Sequence, residues 1–164
     1  MKKMVRQSFT ILILLLSFSC ASDNAVLLRN AAVAVWDFDN LSPSASEQHN
    51  LGELLSGQVI EVLQKQGDHP VIEREQLFRA LEELQLGATS LATESTRLRL
   101  GRISGARFMV FGGYQIIGAQ MRLDVRLVEV ETAKVRKAVQ RTTPASDLSR
   151  WLGSAREAAE ELFR

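Results

Sequence analysis

The hydrophobic period of this chain changes near Ala106, and that change limits its possible folds more than any other feature. Beyond it, Met121, Leu123, Val125 and Leu127 alternate with Arg122, Asp124 and Arg126, the period of two expected of a strand with one dry face and one wet. Phe108 to Phe111 is apolar without a break, as in a central strand covered on both sides. Gly118-Ala119 and Glu131-Thr132-Ala133 supply the short turns of a meander, and Lys134 to Arg141 carries enough charge to form its outer edge.

Before Ala106 the spacing is helical. Leu51, Leu54, Leu55, Val59, Val62 and Leu63 line one face until Gly67, with Ser46 and Glu47 as a start signal. Leu77, Phe78, Leu81 and Leu84 predict a second helix from about Glu75 to Leu86, and Ser95 to Ser104 a third. Val33 to Phe38 reads as a buried first strand that ends in the turn chemistry of Asp39-Asn40-Leu41-Ser42-Pro43, and Val71-Ile72 as a short second one. A last helix, Ser146 to Phe163, carries Leu148, Trp151, Leu152, Ala155, Ala159, Leu162 and Phe163 on one stripe. The predicted order is β-α-β-α-α-β-β-β-α, a single α/β domain with a mixed (α+β) sheet over residues 33–164. A composition 46% hydrophobic and 24% charged fits one ordinary globular domain, neither disordered nor membrane-embedded.

The first residues belong to something else. Lys2, Lys3 and Arg6 precede an apolar run from Phe9 to Phe18, too short to span roughly 30 Å of hydrocarbon but suited to a cleaved export signal over residues 1–19. The chain's one cysteine, Cys20, follows directly and has no partner for an intramolecular disulfide, so lipid attachment is its expected use. Leu16, four residues before it, and the bulky Phe18 depart from the usual pattern at such a site. Residues 20–32 then read as a tether. Loss of the three basic residues leaves a small negative charge, and the arginines are interspersed with Asp and Glu, so no nucleic-acid partner is expected.

Few residues offer chemistry. Asp37 and Asp39 at the exit of the first strand could hold a cation or act as acid and base, against the simpler reading of turn capping. Glu73 and Arg74 could meet a ligand, against an ion pair at a helix start. His49 and His69 lack a second ligand at metal spacing, and Gly112-Gly113 lies inside strand sequence, where close packing explains it better than a phosphate cradle. Trp36 and Trp151 are read as core. No catalytic residue, metal or other cofactor is expected. The edge carrying Lys134, Arg136, Lys137 and Arg141 is the candidate partner surface, against an edge that these charges merely keep soluble.

Five segments in order resemble the CsgG family of curli assembly and transport lipoproteins. They are Val35-Trp36-Asp37-Phe38-Asp39-Asn40, Val71-Ile72-Glu73-Arg74, Leu100-Gly101-Arg102-Ile103-Ser104-Gly105-Ala106-Arg107, Val110-Phe111-Gly112-Gly113-Tyr114 and Val128-Glu129-Val130-Glu131-Thr132. Together they span about Val33 to Arg141. The same element order occurs in the amino-terminal domain of TolB, in flagellar outer-membrane lipoproteins and in lipoprotein activators of cell-wall synthases. The resemblance implies a lipid-anchored envelope protein on the periplasmic side of the outer membrane, working by oligomerisation or docking in an export or assembly complex. The alternative it implies is a regulator of a periplasmic enzyme such as a cell-wall synthase. Asp37, Phe38, Glu73, Arg74, Gly105, Ala106 and Gly112 are then family-motif residues with structural roles. Two departures stand out. The chain has no spare segments for the family's transmembrane hairpins, so a pore made by this chain alone is not expected. Ala133 stands where the family usually has glycine, at a cost of roughly 1 kcal/mol if that position is left-handed.

Overall fold

The computed structural model describes residues 30–43, 50–83 and 93–164. The leader, Cys20 and most of the tether lie outside the described residues, as do Ser46, Glu47, His49 and Leu84 to Gly87.

Strand β1 (Val33–Val35) is buried along its length because it has parallel neighbours on both sides, β3 (Val71–Ile72) and the start of β4 (Phe108–Ile117). Such pairings require crossovers, and the helices provide them. Helix α1 (Leu51–Gln66) leads from β2 (Asp39–Asn40) to β3, and α2 (Arg74–Glu83) with α3 (Glu94–Ile103) leads from β3 to β4. From β4 the chain runs as an antiparallel meander through β5 (Gln120–Glu129) and β6 (Val135–Pro144), then closes with α4 (Leu148–Phe163). Among the described residues the sheet has six strands, in the order β3-β1-β4-β5-β6 with β2 beside β4. The mixed α/β architecture is the predicted one, with one strand more.

That strand is a correction. Asp39-Asn40 is not turn but strand: after Val35 pairs with Val110, the chain leaves the ladder and rejoins it where Asp39 pairs with Gly113. Three residues thus face two on β4, a bulge that ends the predicted run to Phe38 early. The cause lies in packing. Phe38 is buried over Gly112, where a β-carbon would come within 2.4 Å of its ring. The family-motif pair Phe38 and Gly112 is one interlocking contact, and close packing accounts for the glycine.

One face of the sheet carries the main core. Alternate residues Met121, Leu123, Val125 and Leu127 meet Leu55, Val59 and Leu63 of α1 and the stripe Trp151, Ala155, Ala158, Ala159 and Leu162 of α4. Alanines in that stripe let the helix lie close. The opposite face has a smaller cluster, with Leu77 and Leu98 of α2 and α3 over Met109, Phe111 and Val128. Helix α3 ends through a left-handed Gly105 (φ 80°), and Ala106 N–H donates to the Gly101 carbonyl at 2.8 Å, so the Gly105-Ala106 motif is a helix stop that aims the chain into β4. Helix α4 starts two residues later than predicted, because the Asp147 carboxylate accepts from Arg150 N–H and caps it there. Trp151 is buried and donates from Nε1 to the Pro144 carbonyl at 2.8 Å, whereas Trp36 is half-buried on the smaller cluster.

Candidate functional site

Among the described residues strand β6 ends the sheet, and its ten residues pair with β5 on one side only. An edge of that length presents a row of backbone donors and acceptors to any strand that approaches. The basic side chains on it are mostly held by the chain's own carboxylates. Arg136 reaches Glu129 at 2.6 Å, and Arg141 reaches Glu161 at 2.5 Å and Glu157 at 3.8 Å. Lys137 donates to the Glu161 backbone carbonyl. Lys134 sits in the turn before the strand, where its carbonyl accepts from Glu129 N–H and its side chain is exposed.

Glu129 organises that turn. Thr132 donates its hydroxyl to the carboxylate, and with Arg136 alongside it holds the carboxyl below the usual range. Glu161 is likewise lowered, chiefly by the Arg141 guanidinium. Neither glutamate stands out as a site residue in the sequence. The one hint is Glu129 itself, an acid between the buried Val128 and Val130. Ala133 closes the same turn with φ 55°, the left-handed backbone at which alanine is disfavoured.

The carboxylates at the exit of β1 separate instead of pairing. Asp37 accepts from Arg74 at 2.5 Å and from the Ser56 hydroxyl at 3.2 Å, and Arg74 also holds Glu53 at 2.8 Å. Asp39 takes both guanidinium nitrogens of Arg97, at 2.7 and 2.9 Å. Each acid is thus a clamp on a different helix, Asp37 on α2 and Asp39 on α3. Arg126 on β5 adds a third clamp through Glu94 at 2.6 Å. Glu73 stays exposed, with its carbonyl accepting from Gln76 N–H. His69 is buried with its ring 5.1 Å from that of Phe163.

A shallow groove of about 560 Å³ crosses β4, β5 and β6 over Phe111, Gly113 and Ala138. Its charged walls are already engaged: Asp39 with Arg97, Asp124 with Arg122, and Arg126 with Glu94. Nothing in that arrangement offers a free acid and base at one place.

The family described as "curli production assembly/transport component CsgG" matches residues 17–117. The match takes in Cys20 and ends with β4. It therefore stops short of Val128-Glu129-Val130-Glu131-Thr132, which the resemblance had included. A comparison with curated proteins gives no match. Among solved structures, the LpoB C-terminal domain from Salmonella enterica is similar at 19% identity and TM-score 0.60, over 70% of this chain and 83% of that one. A point variant of the PelC dodecamer from Paraburkholderia phytofirmans follows at 16% identity and TM-score 0.52, over 82% and 86%. Lipoprotein GNA1162 from Neisseria meningitidis shares 16% identity at TM-score 0.52, over 76% and 92%. At these identities the likeness is one of fold.

Proposed function

The chain belongs to the CsgG family, and from that premise we propose that it is a lipid-anchored component of an envelope export or assembly complex, acting by contact and not by catalysis. Cys20 carries the lipid and places the domain on the periplasmic side of the outer membrane. The β6 edge pairs with a neighbouring copy. The observation that carries this reading is the edge itself: ten residues of strand with no outer partner among the described residues, whose arginines are neutralised from within, so that two such edges can approach without the full repulsion of like charges. The family resemblance and the dodecameric state of PelC, a protein of the same fold, support assembly as the use of that edge.

Cell fractionation and mass spectrometry of the N-terminal peptide test the anchor. A diacylated Cys20 peptide in the outer-membrane fraction, lost in Cys20→Ala, is expected; an unmodified chain in the cytosol would overturn the envelope reading. Light scattering on the detergent-extracted chain tests assembly. A mass several times that of one chain is expected, with single cysteines scanned through Ala138–Thr142 crosslinking copies under mild oxidation. A monomeric mass would point instead to the regulatory alternative, a lipoprotein that activates a periplasmic enzyme such as a cell-wall synthase.

A further inference from the structure

Strand β3 forms the other edge of the sheet, and among the described residues no strand pairs with its outer side. Its backbone is set to receive one. Val33 N–H donates to the Pro70 carbonyl (2.8 Å), and in a parallel ladder successive residues turn their hydrogen-bonding groups to opposite sides, so Val71 aims its own N–H and carbonyl outward. A groove of about 500 Å³ runs along this edge.

One wall of the groove is α1, through Ile60 and Gln64, and the other is the approach to α2, through Glu73 to Glu75. Ile60 and Val71 are partly buried against the main core and Ile72 against the smaller cluster, so apolar surface flanks the edge on both faces of the sheet. The rim is acidic. Arg74 is held by Asp37 and Glu53, whereas Glu73 and Glu75 are exposed and no lysine or arginine pairs with either among the described residues.

We propose that this groove binds an extended segment of another protein, one in which apolar residues alternate with lysine or arginine. Such a segment lengthens the sheet by one strand: Val71 pairs with its backbone, Ile60 and Ile72 cover its apolar side chains, and Glu73 and Glu75 meet its cations. Pairing through one residue of β3 is a short contact, so side chains carry the choice of partner, and the two carboxylates set the preference for a basic segment over an acidic one. The chain's own basic strand, β6, is taken up by the contact proposed above, and the inference rests on that reading in assigning the groove to a different protein.

The probe is a labelled five-residue peptide alternating valine and lysine, titrated into the full detergent-extracted chain and followed by fluorescence anisotropy. Saturable binding is expected, about tenfold or more tighter than that of the same peptide with glutamate in place of lysine, and weaker at high salt. Glu73→Lys together with Glu75→Lys should reverse that preference, a gain that misfolding cannot produce. Methylating the peptide's backbone amides should weaken binding, and the bound peptide should slow hydrogen exchange at the Val71 amide. Equal affinity for the two peptides, a preference unmoved by the double substitution, or the lack of saturable binding would each overturn the proposal. Light scattering on the same samples separates it from the assembly reading. An assembly that falls apart as the peptide binds would overturn the proposal in favour of a second copy in the groove, whereas a chain that is monomeric before any peptide is added would refute the β6 contact and leave the peptide preference to decide the groove by itself.

Discussion

Ala133 is the residue whose present form costs stability. Its φ of 55° puts the side chain against the following carbonyl, and nothing but backbone conformation is at stake there because the residue is exposed. Ala133→Gly should therefore raise the stability by about 1 kcal/mol, read as a later midpoint in urea unfolding with an unchanged slope. Gly112 is the reverse case. A β-carbon there would lie 2.4 Å from the buried Phe38 ring, so Gly112→Ala should cost about 1–3 kcal/mol, and Phe38→Leu in the same chain should recover part of it. Glu129 sets a pH dependence. Its carboxyl titrates below its unfolded value because Thr132 and Arg136 favour the charged form, so its contribution to stability is complete above about pH 5 and fades as pH falls through the folded value. Replacing it with glutamine should leave a gap to wild type that is constant at neutral pH and closes in acid, as followed by thermal unfolding across a pH series. The glycine at 112 was legible from its place inside a strand, and the alanine at 133 from its place in a hairpin. The partners of Glu129 were not, because turn geometry decides which hydroxyl and which arginine reach it.

At the scale of elements, periodicity gave away whatever buries a stripe. The alternation in β5 and the stripe on α4 exist because one side of each must face the same core, and a sequence shows that directly. The bulge between β1 and β2 escaped for the opposite reason. It depends on Phe38 finding Gly112 more than seventy residues away, and Asp39-Asn40 read locally is turn chemistry. The clamps on α2 and α3 escaped in the same way, since Asp37–Arg74, Asp39–Arg97 and Glu94–Arg126 all join distant segments. These clamps matter because the apolar cluster under the two helices is small, while the ion pairs over it are mostly half-exposed and each is worth about 1 kcal/mol or less. The α2–α3 layer is thus held more weakly than the main core. Its amides should exchange with solvent well before those of β4 and β5 under native conditions, and faster at high salt, in a hydrogen-exchange experiment resolved by peptide.

For the molecule as a whole, the question is whether that layer melts with the core or before it, and the two tryptophans are placed to answer it. Trp36 lies on the α2–α3 side, with the Arg97 guanidinium 5.4 Å from its ring centre, and Trp151 lies in the main core between α4 and the end of β6. Each layer thereby has its own reporter, and the chain has no third tryptophan to blur them. The main core joins α1, α4 and every long strand, so it should unfold as one cooperative unit. The layer above Trp36 leans on ion pairs that salt and mild denaturant weaken first. In Trp151→Phe, which retains Trp36 alone, the fluorescence transition in guanidinium chloride should therefore begin at lower denaturant than the far-UV circular dichroism transition. In Trp36→Phe, which retains Trp151, the two should coincide. Arg97→Gln removes the cation over Trp36 and the bidentate hold on Asp39 together, and should move only the early transition. Coincident transitions in both single-tryptophan chains would instead make the domain one unit. In that case the clamps on Asp37 and Asp39 would serve to position α2 and α3, with no part of the fold free to open alone.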